Sequence, residues 1–170
     1  MKMNALVDER VIRALYDASR AGVRVELNVR GICCLRPGEP GLSENVSVVS
    51  TLGRFLEHAR IYHFERAGEE RIYIGSADVM PRNLDSRVEV LAPVEDPVLR
   101  AEIKDVLDRC FADTAASWEL RPDGSWARRA NNKDPEARRN AQQELMDRAA
   151  ARHAELTSGR PQAHPAVDLG

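Results

Sequence analysis

Phe55-Leu-Glu-His-Ala-Arg-Ile-Tyr-His-Phe-Glu65, followed ten residues later by Gly75-Ser-Ala-Asp78, is the stretch that decides the fold. His58 stands just ahead of an apolar run, with Arg60 two residues on and Glu65 seven on. Arg60 to Phe64 and Arg71 to Ile74 flank Ala67-Gly68, which predicts a β-hairpin. Its second strand delivers the small-residue turn Gly75-Ser76. These residue types suit phosphoryl chemistry. A histidine can attack phosphorus or pass a proton to a leaving oxygen. A neighbouring cation holds phosphoryl oxygens, and a glycine-serine turn offers N–H and hydroxyl donors to the same group.

Upstream, Asp8 to Ala21 reads as a helix, with Val7, Val11, Leu15 and Ala18 at helical spacing, Asp8 as cap and Gly22 as stop. Val23 to Val29 alternates apolar and polar residues, which predicts a strand ending at Arg30-Gly31. Helix, glycine and strand make half of an α/β layer unit, so a parallel or mixed sheet is expected. Ligands in such sheets sit at the carboxyl ends of the strands, which singles out Arg30. Arg36 to Asn45, with two prolines and two glycines, is a shaped loop, and Val46 to Val49 a short strand. Thr51 to Glu57 is expected to form one or two helical turns leading into His58.

Downstream, Ser86 to Ala92 alternates again, so a strand is expected with Val88 and Val90 on one face and Asp85, Arg87 and Glu89 on the other. Asp96-Pro97 is a helix start, and Leu99, Ile103, Val106 and Cys110 give that helix an apolar stripe. Trp118 to Trp126 reads as two short strands around Pro122-Asp-Gly. Asp134-Pro135 is expected to open a charged helix to about Ala154. Its alanine face buries little, so it packs against something else or frays. Thr157 to Gly170 reads as a disordered tail. The expected divisions are residues 1–129, a charged helix at 130–156 and the tail at 157–170.

His58, Arg60 and Glu65 with Gly75-Ser76 resemble the H-x-K-x4-D…G-S half-site of the phospholipase D superfamily, with Arg60 for the lysine and Glu65 for the aspartate. Val29-Arg-Gly-Ile-Cys-Cys-Leu-Arg-Pro-Gly38, Gly41-Leu-Ser-Glu-Asn45, Gly53-Arg-Phe-Leu-Glu-His58 and Gly75-Ser-Ala-Asp-Val-Met-Pro-Arg-Asn83 follow one another in order. Together they resemble the C-terminal domain of the long bacterial polyphosphate kinases, from about Lys2 to about Arg129. The resemblance implies an α/β, phospholipase-D-like mixed sheet flanked by helices, with a C-terminal helical extension. It implies transfer of the γ-phosphate of ATP to polyphosphate (ATP + polyP(n) = ADP + polyP(n+1)) by way of a phosphohistidine.

The resemblance also assigns residues. His58 matches a histidine that contacts ATP, so it binds nucleotide phosphate or protonates the leaving oxygen of ADP, while the covalent carrier belongs to a preceding domain. Arg30 matches an ATP-contacting arginine, and a planar guanidinium can grip two phosphate oxygens. Arg60, Ser76, Arg82, Asn83 and Arg87 complete the expected phosphate-binding set, Arg82 and Asn83 in a loop. Arg87 with Glu89 also fits a plain ion-pair ladder. Mg²⁺ is expected to be bound through the preceding regions. The opening Met1-Lys-Met-Asn, already inside the motif, reads as a fragment that binds phosphates weakly and catalyses poorly alone. Val79 stands where a tryptophan is common, which is expected to alter packing.

Length and composition bound these readings. At 170 residues with 43% hydrophobic residues, the chain fits one domain with a proper core. A net charge of −2 predicts no overall attraction to nucleic acid or anionic membrane, so a polyanion site must be a local arginine cluster. Cys33, Cys34 and Cys110 lack metal-binding spacing and read as reduced thiols, so no metal site is expected. The absence of a signal peptide and of a long apolar run predicts a cytoplasmic protein. The expected partners are ATP, ADP and polyphosphate, with homo-oligomerisation in the full-length enzyme. Two rivals remain: a phosphodiesterase in which two copies face their His58 residues, and a non-catalytic nucleotide- or polyphosphate-binding module. His63 reads as structural, His153 and His164 carry no constellation, and Arg128, Arg129 and Lys133 read as a solvated face.

Overall fold

A computed structural model describes residues 1–129 and 138–158. β1 (Lys2–Met3), β2 (Val25–Val29) and β3 (Val46–Thr51) run parallel at the centre of one mixed sheet. β4 (Ile61–Arg66), β5 (Glu69–Gly75) and β6 (Leu91–Pro93) extend it antiparallel beyond β1, and β7 (Ser117–Leu120) and β8 (Trp126–Arg128) beyond β3. The strand order is β6-β5-β4-β1-β2-β3-β7-β8.

Period-two patterning separates the two faces. Val25, Leu27 and Val29 of β2, with Met3 and Val48, pack beneath α1 (Glu9–Arg20) in one apolar cluster. Asp8 caps that helix, its carboxylate accepting from the Val11 N–H at 3.1 Å. On the opposite face Ile61 and Ile72 pack against Leu107 of α3 (Pro97–Ala112). Asp96 caps α3 by accepting from the N–H groups of Val98 and Leu99. The β4–β5 turn places Ala67 at φ 51° and Gly68 at φ 86°, the two left-handed residues that a two-residue hairpin needs.

The α3 face also buries polar groups. Asn28 Nδ2 donates to Thr51 Oγ1 at 3.0 Å, and Thr51 meets Ser117 Oγ at 3.2 Å. Ser117 donates to Asp113 at 2.9 Å, and Asp113 accepts the Ala141 N–H at 2.8 Å. This relay fastens the start of α4 (Ala141–Ser158) to the sheet. Further along, α4 meets α3 through charge: Glu144 with Arg109 at 2.6 Å, Arg148 with Asp105, and Arg152 with Glu102 at 3.0 Å.

Several expectations are corrected. Thr51 to Glu57 forms no helix, because β3 runs on to Thr51 through its pairing with β7. The Leu52 and Phe55 N–H groups then bond to Ala116 O and the Gln142 side chain rather than to a helical turn. Ser86 to Ala92 is not one strand. Residues 81–86 form the short helix α2 (Pro81–Ser86), so Arg82 and Asn83 lie on a helix rather than in a loop. The β5 ladder begins only at Leu91, opposite Gly75, and leaves Val88 fully exposed. The last helix opens at Ala141, where the Asn140 side chain accepts from the Gln143 N–H, and it runs through Thr157 to Ser158. The Asp134-Pro135 start, Lys133, His164 and the rest of the tail lie outside the described residues. Val79 is buried, its carbonyl accepting from the N–H groups of Val7 and Asp8, so a small side chain fills that space.

Candidate functional site

Strand register decides what meets at the carboxyl edge of the sheet. Lys2 pairs with Asn28 on one side and Ile61 on the other, and Ile61 pairs with Ile74. The ends of β1 and β2, the beginning of β4 and the end of β5 therefore converge. Asn4, Arg30, the irregular segment 52–60 and Gly75 to Asp78 share this edge. Gly31 lets the chain ends approach closely: its N–H donates to Asn4 O at 2.8 Å, and a Cβ there would lie 3.0 Å from that oxygen.

Asp78 is the anchor. Its Oδ2 meets Arg60 Nη2 at 2.9 Å and its Oδ1 meets Arg60 Nε at 3.2 Å, a forked pair whose side chains are 12% and 13% exposed. The Asn4 N–H adds a bond of 2.7 Å to Oδ1. Burial alone would push the Asp78 carboxyl up, but the Arg60 hydrogen bonds, the Asn4 N–H and the Arg60 charge together hold it below the ordinary carboxylate range.

Arg60 carries this order outward. Its Nη1 donates to the His58 carbonyl at 3.0 Å and lies 3.0 Å from His58 Nδ1 and 3.2 Å from Nε2. Nη1 is nearly equidistant from the two ring nitrogens, so its defined acceptor is the carbonyl and the contact singles out neither ring nitrogen. Arg60 thus bridges a half-buried carboxylate and an exposed histidine.

Arg30 follows β2, its N–H bonded to Met3 O at 3.2 Å and its carbonyl accepting from Ser50 Oγ at 3.1 Å. Its guanidinium has no hydrogen-bond or ion-pair partner among the described residues, so a fixed backbone presents an uncommitted cation. Arg82 and Arg87 are exposed and likewise unpartnered among those residues.

Ser76 and Asn83 are placed differently. Both donate to Glu89, Asn83 at 2.9 Å, and the Ser76 oxygen accepts the Val90 N–H at 3.1 Å. They hold a carboxylate in place rather than offering donors to an incoming anion. Asp85 pairs with Arg10 at 2.9 Å, which dissolves the expected Asp85–Arg87–Glu89 ladder. Glu65 lies five residues along β4 from Arg60, roughly 16 Å at about 3.3 Å per residue, opposite Glu70. That half-site assignment is therefore corrected, because Asp78 supplies the carboxylate that Arg60 uses.

Residues that sequence reasoning missed complete the edge. Lys2, 1% exposed, pairs with Glu57 at 2.9 Å, and Gln142 reaches Phe55 and Glu57 from α4. Nothing local in the sequence links positions so far apart. Asp78 closes the quoted motif, and that position was the available signal for it. Arg129 is no solvated residue: it donates to Phe111 O at 2.6 Å and Asp113 O at 3.0 Å, closing the end of α3.

Elsewhere, a groove of about 520 Å³ opens near Leu15, Arg24, Glu26, Glu65, Lys104 and Asp108, where carboxylates outnumber side-chain cations and favour no anion. Burial raises the Cys33 and Cys110 thiols to about 11, which makes both poor nucleophiles. Among the described residues no three His, Cys, Asp or Glu side chains stand together as a metal set, and no helix is long and apolar enough to cross a membrane.

A family model described as Polyphosphate kinase C-terminal domain 2 matches residues 1–142. The polyphosphate kinase of Streptomyces coelicolor is 50% identical over 157 residues, covering 92% of this chain and 21% of that protein. The polyphosphate kinase of Mycobacterium leprae is 55% identical over 152 residues, covering 89% and 20%. The crystal structure of polyphosphate kinase from Porphyromonas gingivalis superposes with a TM-score of 0.84 at 38% identity, covering 91% of this chain and 23% of that one. This chain thus spans about a fifth of the length of the curated relatives it matches.

Proposed function

The chain belongs to the polyphosphate kinase family, with the phospholipase-D-like fold of its C-terminal domain, and we propose that its carboxyl edge is one half of the site that moves the γ-phosphate of ATP onto polyphosphate. The observation that carries this reading is Arg30, whose backbone is fixed at the edge that His58 shares and whose guanidinium has no hydrogen-bond or ion-pair partner among the described residues. A planar fork of N–H donors suits phosphate oxygens.

In the proposed reaction the bond between γ-phosphorus and the bridging oxygen breaks. That oxygen leaves on ADP with the electron pair, and phosphorus bonds to the accepting nucleophile. Arg30 binds phosphate oxygens and offsets their charge. His58, held beside Arg60 through its carbonyl, offers an imidazole N–H toward the phosphates or the departing oxygen. Arg82 and Arg87 add positive charge at the rim for the polyanion. Such transfer depends mainly on positioning and neutralisation.

Mg²⁺ would add charge neutralisation, but this chain's carboxylates do not fit a site for it. Asp78 is taken by Arg60 and Asn4, Glu89 by Ser76 and Asn83, and Glu57 by Lys2 and Gln142. The ion and the covalent carrier are assigned to sequence that the longer relatives have outside the matched span. Exposed Ile32, Leu52, Leu56 and Val90 near the same edge support burial of this rim by such a complement. The proposed setting is the cytoplasm, where ATP is available, and the assembled enzyme is proposed to be a homo-oligomer.

Isothermal titration of ATP into the chain tests the binding claim. Weak, salt-sensitive binding is expected, falling about thirtyfold in Arg30→Ala for a charge-assisted contact worth about 2 kcal/mol. Equal affinity in wild type and Arg30→Ala would contradict it.

A further inference from the structure

His58 lies on a segment, residues 52–60, with no helix or strand of its own. What holds it comes from distant parts of the chain. The Gln142 side-chain amide acts on this segment as a strand would. Its Oε1 accepts the Phe55 N–H at 2.9 Å, and its Nε2 donates to Phe55 O at 2.9 Å. Both backbone groups of one loop residue are thereby satisfied by one side chain. The same Nε2 donates to Glu57 Oε1 at 2.7 Å, and the other Glu57 oxygen meets Lys2 Nζ at 2.9 Å.

Lys2 and Gln142 are themselves buried, and Gly53 makes room for the arrangement: a Cβ there would lie 2.4 Å from Gln142 Oε1. Glu57, the residue before His58, is therefore fixed from two sides, by β1 and by the first turn of α4. A buried ammonium in a low-dielectric site holds its carboxylate partner tightly, because separating the two leaves an unpaired charge. The first turn of α4 is tied in turn to the sheet through Asp113 and the Ala141 N–H.

We propose that Gln142, with Glu57 and Lys2, is a positioning residue that sets the His58 loop so the imidazole meets Arg60 and faces the phosphate edge. The role of the loop in phosphate chemistry rests on the functional reading above, whereas the positioning itself does not. Gln142 touches no reacting atom. It acts through the backbone of Phe55 and the carboxylate of Glu57.

The test is ¹⁵N-histidine labelling of the full chain, with the His58 ring signals identified by their loss in His58→Ala. Gln142→Leu keeps bulk but removes every hydrogen bond, and it is expected to shift the His58 ring signals and weaken ATP binding about tenfold. Arg152→Ala, which breaks only the exposed pair with Glu102, is expected to move neither. Glu57→Gln preserves shape and weakens the Lys2 tie, so it supplies a second reading should Gln142→Leu fail to fold, and a smaller shift of the same signals is expected. The swap Gln142→Glu with Glu57→Gln re-pairs one donor and acceptor, and should recover part of the shift seen in Gln142→Glu alone. Ring signals that overlay wild type in folded Gln142→Leu or Glu57→Gln would overturn the proposal. Absence of any ATP-dependent shift in wild type would instead sink the phosphate reading, leaving the ring signals of the free chain to decide the positioning claim.

Discussion

The two faces of the sheet are built from different chemistry. Under α1, Met3, Leu27, Val29 and Val48 form a continuous apolar layer, whereas under α3 and α4 the same strands present Lys2, Asn28 and Thr51, joined by Ser117 of β7. The apolar face needs only volume and exclusion of water, so it contributes stability without direction. Each polar group on the other face needs a partner at a set distance, and those partners run from β2 through Thr51, Ser117 and Asp113 to α4. The first face makes the fold stable, while the second ties a C-terminal helix and the His58 loop to one register.

Substitutions on the two faces should therefore separate stability from site geometry. The largest loss of stability is expected for Leu27→Ala, about 4 kcal/mol from lost burial plus the cavity, read by urea denaturation, with the His58 ring signals of the folded fraction unmoved. Shifted ring signals there would break the division between faces. Asp113→Ala removes three acceptor contacts on a fully buried group and should cost about 3 kcal/mol, releasing the start of α4 and moving the His58 signals as well. Lys2→Met should cost about 2 kcal/mol, because Glu57 retains some water and the Gln142 bond, yet it should move His58 more than Leu27→Ala does.

Asp78 contributes to the pH dependence, alongside Asp8, Asp105, Asp123 and Glu144, whose carboxyls are also held low. Its carboxyl is held below the ordinary range in the folded chain, so its stabilisation is present above the unfolded value of about 3.9 and is lost as pH falls through the lower folded value. The melting temperature should drop below about pH 4, and Asp78→Asn should make that limb shallower while lowering stability at neutral pH. Arg152→Ala, at a largely exposed pair, should change stability by less than about 0.5 kcal/mol.

How much of this was legible follows the range of each signal. α1, β2, the β4–β5 hairpin, α3 and the β7–β8 hairpin announce themselves through caps, periods and turn residues that lie within a few positions of one another. Arg30 and His58 share the carboxyl edge of the sheet, as strand ends and an ordered motif led one to expect. The segment 52–60 misled because its backbone groups bond to Gln142 and Ala116, which no local propensity encodes. Val88 and Val90 alternate like a strand, but β5 ends at Gly75, so Val90 bonds to Ser76 just past the ladder while Val88 stands fully exposed. Ser76 and Asn83 have phosphate-ligand chemistry, and only the fold shows that Glu89 occupies them. Lys2, Glu57 and Gln142 meet only through strand register and helix docking, so their partnership was invisible in the sequence.

Whether this edge is half of a phosphotransfer site can be measured with γ-labelled ATP, Mg²⁺ and polyphosphate primer. The chain would be assayed alone and together with the remaining part of a full-length relative, with Arg30→Ala and His58→Ala in parallel. No elongation is expected from the chain alone, and complementation should yield labelled polyphosphate that either substitution abolishes. Elongation by the chain alone, or complementation indifferent to Arg30 and His58, would contradict the half-site reading.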